Sequence, residues 1–202
     1  ERDACGLGLG GVVGRHNVQN ALAAIAVGLE LELSAQQIRE GLEHFRGVDR
    51  RFQGKADCNG ITVIDDYGHH PAEIRAVMEA AQLRGARRLR AIFQPHRYTR
   101  TKFLMDDFAK CFDGCERVYV LDIYAASEPP MPGITSQRLV ERMHELGLMS
   151  ARYAPSDQEV IREVLAEAQP GDLILTVGAG SVWKVGEALG EALRSAAVAQ
   201  RV

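Results

Sequence analysis

Residues 61–82 read ITVIDDYGHHPAEIRAVMEAAQ. ITVID is β-branched and apolar, the composition of a strand buried on both faces. AEIRAVMEAAQ reads as a helix, and Pro71 suits its first turn, where a missing N–H has no intrahelical duty. Between them, DDYGHHP (65–71) crowds two carboxylates, a tyrosine and two histidines into one turn. Strand, polar turn and helix in that order are the unit of a parallel sheet covered by helices.

The unit recurs downstream. RLRAIFQP (88–95) reads as a strand and TKFLMDDFAKCF (101–112) as a helix. RVYVLDIY (117–124) is the next strand, and a proline-rich loop, SEPPMPGITS (127–136), leads to the helix QRLVERMHELG (137–147). ARYA (151–154) is a short strand, and SDQE (156–159) caps a helix with Val160, Ile161, Val164 and Leu165 apolar. DLILTV (172–177) is a strand, and GAGS (178–181) opens a final helix. The fold expected is α/β, a Rossmann-like, mostly parallel sheet with helices on both faces.

Upstream the pattern is helical. Val18, Leu22, Ile25, Ala26 and Leu29 share one face of a helix from Asn17 to about Leu33. SAQQ (34–37) reads as a capping box before a second helix with Ile38, Leu42 and Phe45 on one face. FRGVDRRFQG (45–54) breaks that pattern and places a domain boundary near Gly47–Arg51. ERDACGLGLGGVVG (1–14) reads as a truncated start, and its G-x-G-x-x-G spacing at Gly6, Gly8 and Gly11 follows no strand, so it reads as chance.

The chain has 202 residues, is 46% hydrophobic and 25% charged, and carries a net charge of −3. No basic excess points to nucleic acid, and no apolar run is long enough to span a bilayer. Cys5, Cys58, Cys111 and Cys115 lack a metal-site spacing and read as small buried residues in a reducing compartment. No P-loop pattern occurs.

In a parallel α/β sheet, ligands gather at the carboxyl ends of the strands. Four strand ends here are rich in chemistry: DDYGHHP, QPHRYTR (94–100), DIYAASE (122–128) and GAGS. Asp65 and Asp66 can bind a ribose hydroxyl or a metal-bound water, or simply cap the turn. Adjacent His69 and His70 point different ways in a turn, which favours one in a site and one in structure. Arg97 and Arg100, beside His96 at a helix start, can converge on one carboxylate or phosphate, helped by free backbone N–H groups. Asn17 and Asn20, three apart, suit a purine edge or a phosphate, but taken alone the better reading is a plain N-cap at Asn17 and a surface amide at Asn20. Arg50 and Arg51 lie at the boundary, where an arginine can reach into a cleft.

GRHNVQNALAAIAV (14–27), GVDRRFQ (47–53), DDYGHHPAEI (65–74), FQPHRYTRT (93–101) and DIYAASEPPMPG (122–133) resemble the second half of the Mur ligases. Among these, GHHP with QPHRYTR favours the branch that adds L-alanine over the one that recycles a muramyl tripeptide. The resemblance implies residues 1–48 as a short helical remnant of a central ATPase domain and 49–202 as the C-terminal Rossmann-like domain. It implies an ATP-dependent ligase of the bacterial cytoplasm that joins L-alanine to UDP-N-acetylmuramate through an acyl phosphate, serving the cell wall, cell shape and cell division. ATP and Mg2+ belong to the complete enzyme, with no metal ligand in this chain. The N-terminal and central domains would be the missing partners, and the fragment would be inactive alone. Carried over by motif, Asn17, Asn20, Arg51 and Asp66 would meet ATP. Tyr67 and His96 would bind substrate, and His69, Arg97 and Arg100 would serve catalysis. Two other readings stand beside it: a stand-alone amino-acid- or nucleotide-binding regulatory module, and a metallohydrolase built on His69, His70, Asp65 and Asp66.

Overall fold

The computed structural model describes residues 15–45 and 47–199, with side chains from residue 18 onward. The expectations for residues 1–14 and for the Asn17 side chain lie outside that description. In chain order the elements are α1 (Arg15–Glu30), α2 (Ala35–His44), β1 (Gln53–Cys58), β2 (Ile61–Asp66), α3 (Pro71–Leu83), β3 (Arg88–Phe93), α4 (Tyr98–Phe103), α5 (Met105–Ala109), β4 (Arg117–Val120), α6 (Ser136–Glu145), β5 (Ala151–Tyr153), α7 (Asp157–Glu167), β6 (Asp172–Val177) and α8 (Trp183–Ala199).

The strands form one sheet in the order β1-β2-β6-β3-β4-β5, parallel throughout except for β1, which pairs antiparallel with β2. Alternate side chains of each strand feed two cores, as the period of two requires. Leu89, Ala91 and Phe93 of β3 join Leu173, Leu175 and Val177 of β6 under α3, α5 and α6. Ile92 and Ile174 face the other way, under Val160 and Val164 of α7 and Val185, Leu189 and Leu193 of α8. Each of these side chains larger than alanine contributes about 1.5–3 kcal/mol by leaving water.

This arrangement positions the site. β2 and β3 send their outgoing connections to one face, while β6, lying between them, sends its own to the other. Diverging connections leave a crevice beyond the carboxyl ends of those three strands.

The observed elements differ from expectation in three places. β1 is an additional strand beyond the polar 45–54 segment: only Ala56 and Cys58 alternate inward, too short an apolar face to mark it in the sequence. The helix expected over 101–112 starts at Tyr98 and breaks at Leu104, which adopts φ −119°, ψ 21° and packs against the core. The β4 strand stops at Val120, leaving Tyr124 as an isolated bridge to His96. The capping box of Ser34 and Gln37 forms as the sequence indicates. Cys111 and Cys115 are free and buried, and burial pushes their thiols up to about 11 and about 12. Cys58 is buried in the second core.

Candidate functional site

The turn after β2 is built by its own acids. Asp65 is fully buried and accepts from Thr176 Oγ1 at 2.7 Å and from Arg50 Nε at 2.9 Å. Asp66, 3% exposed, accepts from the Phe52 N–H on one oxygen and the Gly68 N–H on the other, both at 2.7 Å. Burial raises the Asp66 pKa, against the pull of those two N–H groups and Arg51. Both oxygens are thus engaged in holding the turn and the 48–52 segment together.

His70 is the N-cap of α3, with Nδ1 accepting from the Ala72 N–H, and Glu73 returns the bond to the backbone. Its structural role matches the split expected of the two histidines. Glu73 Oε2 accepts from the His69 N–H at 2.9 Å and the His70 N–H at 3.1 Å. Burial pushes the Glu73 pKa up, but those N–H groups and the charges of His69 and Arg51 together hold it below the usual value. The sequence did carry this signal, since a cap followed three residues later by Glu is a capping box, here with histidine as the cap.

His69 is turned into the crevice. Its Nδ1 lies 3.1 Å from the Tyr67 carbonyl and 3.4 Å from Glu73 Oε2. Both neighbours only accept, so Nδ1 carries a proton and Nε2 is the ring atom left facing the crevice. The ring sits 5.2 Å from Tyr67 and 5.7 Å from His96.

His96 has the opposite polarity. Its Nδ1 lies 3.0 Å from Arg100 Nη1. A guanidinium only donates, so Nδ1 accepts and Nε2 carries the proton. The ring stacks on Tyr124 at 5.6 Å and 11°. Burial lowers the His96 pKa, and Arg100, His69 and Arg97 lower it further, with Glu128 opposing. Arg100 thus contacts His96 directly, whereas Arg97 acts on it only through its charge.

The expectation of free N–H groups at that helix start is corrected. Glu128 already accepts from the Thr99 N–H at 3.0 Å and from Thr99 Oγ1 at 2.6 Å. Arg97 does not cap its own helix and is exposed.

The two boundary arginines divide. Arg50 is largely buried. It donates to Asp65, to the Gly178 and Gly180 carbonyls, and lies 5.0 Å from the Tyr67 ring centre. Its own carbonyl accepts from the Tyr67 N–H at 2.6 Å. Arg51 is half exposed, 3.9 Å from Glu73 and 5.9 Å from Tyr67. Asn20 is exposed on α1. The Gly178–Ser181 turn packs tightly: a Cβ on Gly180 would lie 2.6 Å from Tyr124 Cγ. Gln94 bonds the Val182 N–H at 3.1 Å and Ser181 Oγ at 3.3 Å, locking this turn to β3.

Among the described residues no group of three or more His, Cys, Asp or Glu could hold a metal ion. No helix among them is long and apolar enough to cross a membrane.

Fold and crevice together define a Rossmann-like α/β domain whose switch point is lined by imidazoles and guanidiniums. Residues 50–180 match the family described as Mur ligase, glutamate ligase domain. UDP-N-acetylmuramate–L-alanine ligase of Solibacter usitatus is 52% identical over 184 residues, 91% of this chain and 39% of that protein. The same-named ligase of Koribacter versatilis is 50% identical over 188 residues, 93% of this chain and 40% of its own length. The crystal structure of UDP-N-acetylmuramate–alanine ligase from Thermotoga maritima superposes with a TM-score of 0.75 at 31% identity, covering 91% of this chain and 39% of that one. A murein peptide ligase from Psychrobacter arcticus gives 0.66 at 25% identity, over 89% of this chain and 37% of its own. The chain belongs to the Mur ligase family. It spans about two fifths of the length of the curated relatives it matches.

Proposed function

We propose that this chain supplies the amino-acid-receiving surface of an ATP-dependent ligase that joins L-alanine to UDP-N-acetylmuramate in peptidoglycan precursor synthesis, in the bacterial cytoplasm. The observation that carries the reading is the meeting of His69, His96, Arg97, Arg100 and Tyr67 at one crevice, beside the boundary arginine Arg51. The names of the relatives at about half identity point the same way.

Each role follows from chemistry. An incoming amino acid brings a carboxylate, which Arg97 and Arg100 attract. Its amine attacks only when neutral. With Nε2 unprotonated, His69 can accept from an amine N–H, and His96 offers an N–H to an oxygen. Negative charge gathers on the acyl phosphate, and fixed cations nearby stabilise the transition state. ATP and Mg2+ belong to the complete enzyme. Toward ATP, Arg51 stands half exposed at the boundary, and Asn17 and Asn20 are assigned by their motif alone. Asp66 acts on ATP by shaping the turn, unless it gives up a backbone bond.

Residues to about Val48 are read as the tail of the central ATPase domain, and 49–202 as the C-terminal domain. Supporting this, Val18, Leu22, Val27 and Leu29 of α1 are all more than half exposed, as expected of a helix whose packing partner is elsewhere. Closing the missing domains on the crevice would exclude water from the acyl phosphate.

The test is reconstitution in trans. The chain alone should release no phosphate from ATP with L-alanine and UDP-N-acetylmuramate. Addition of the N-terminal and central domains of the Solibacter usitatus ligase should restore L-alanine-dependent release. Robust turnover by the chain alone would overturn the reading. Stoichiometric zinc or manganese in the purified chain would instead favour the metallohydrolase.

A further inference from the structure

Between β4 and α6 the chain does something costly. Ala126 and Ser127, neither of them glycine, sit at φ 47° and φ 70°. Across the crevice, Arg97 sits at φ 72° and ψ 139°. Left-handed backbone is strained for residues with a Cβ, and it persists only where surrounding contacts fix it. One contact joins the two strained segments: the carboxylate of Glu128 on the N–H and hydroxyl of Thr99. Two backbone bonds complete the joint, Arg97 N–H to the Tyr124 carbonyl and Tyr124 N–H to the Pro95 carbonyl, each at 2.8 Å. Tyr124, four residues before Glu128, is the ring stacked on His96.

We propose that Glu128 is a positioning residue of the crevice: by latching the 124–128 loop to Thr99 it holds Tyr124 against His96 and fixes the arginine-bearing start of α4. The residue touches no reacting atom. It rests on the ligase reading only for the identity of the ligand; the latch itself concerns the unliganded chain.

The latch has an electrostatic side. The groups that act on the His96 ring are Arg97 and Arg100 from α4, His69 from the β2–α3 turn and Glu128 from the loop. Tyr124 covers one face. Of these, Glu128 alone favours the protonated ring. Its charge also offsets one of the two arginines, leaving the cluster nearer to one net positive charge, which suits a ligand with one carboxylate.

The test is an NMR titration of the His96 ring in the whole unliganded chain, with the signal identified by its loss in His96→Gln. Glu128→Gln keeps the shape and can still accept from the Thr99 N–H, but removes the charge. It should move the His96 midpoint to lower pH. Thr99→Val keeps the charge and removes the hydroxyl. It should weaken the Tyr124 ring-current shift on His96, and Thr99→Ser should restore it. If the latch is mere loop glue, Thr99→Val lowers the melting temperature while the His96 shift and midpoint stay at wild-type values, and the proposal falls. It falls equally if Glu128→Gln leaves the midpoint in place. Neither result bears on phosphate release in the reconstituted ligase, so the two readings fail separately.

Discussion

At Arg97 the backbone is held where a Cβ is unwelcome, and the side chain is exposed at the mouth of the crevice. Strain of this kind costs about 1–3 kcal/mol. Arg97→Gly relieves it and Arg97→Ala keeps it. Urea unfolding should therefore find the glycine variant more stable than the alanine variant by about 1 kcal/mol, although both lose the guanidinium. His96 makes a second prediction. With its pKa lowered by burial first and by Arg100 next, the ring is neutral at pH 7, and its midpoint lies below that of a free histidine. Arg100→Ala should raise that midpoint in an NMR titration; an unchanged midpoint would mean the Nδ1 contact is not made in solution. Residue types at the strand ends were readable from sequence, so His69, His96, Arg97 and Arg100 could be named in advance. That Glu128 fills the start of α4 depends on a contact across 29 residues of chain and was not readable; which nitrogen faces which neighbour rests on local side-chain geometry that residue names do not carry.

On the scale of elements, the parallel strands were legible because burial on both faces demands continuous apolar runs. The β1 strand escaped because it lies at the sheet edge and needs no such run. A local signal for it was present: Asn59-Gly60, with φ 52° and 76°, forms the β1–β2 turn, and Asn-Gly is the strongest short hairpin mark. Gly60→Ala should cost about 1–2 kcal/mol in urea unfolding, from the left-handed backbone and the 3.2 Å approach to Pro170. A cost near zero would show that the turn relaxes. The α4–α5 break was not legible, since TKFLMDDFAKCF contains neither Gly nor Pro.

Over the whole molecule, chemistry and stability lie at opposite ends of the sheet. The crevice sits at the carboxyl ends of the strands. Near the amino ends, buried Arg90 bonds Glu167 at 2.6 Å and Glu116 at 3.1 Å, and Arg88 grips Asp172 at 2.7 and 2.6 Å. Burial pushes the Asp172 pKa up, but Arg88, the Gln169 N–H and Arg90 together hold it below 3.8. A depressed carboxylate stabilises the fold above its unfolded pKa, and that contribution is lost as pH falls through the folded value. Asp172→Asn leaves two guanidiniums short of a charge and should cost about 3 kcal/mol at pH 7, with the difference from wild type shrinking below pH 4. A pH-independent difference would place the effect in packing instead. Around α1 and α2 the described residues are largely exposed, Leu31, Phe45 and Val48 among them.

The central claim, that this crevice receives the amino acid for a ligase whose other domains lie elsewhere, is tested most directly by a chimera. Residues 49–202 would replace the corresponding domain of the Solibacter usitatus ligase, and L-alanine-dependent phosphate release would be measured beside the same chimera carrying Arg97→Ala. The account predicts turnover in the first and a loss of about 100-fold or more in the second, as for removal of a charge that stabilises the transition state. A folded chimera without turnover, or one indifferent to Arg97→Ala, would contradict it.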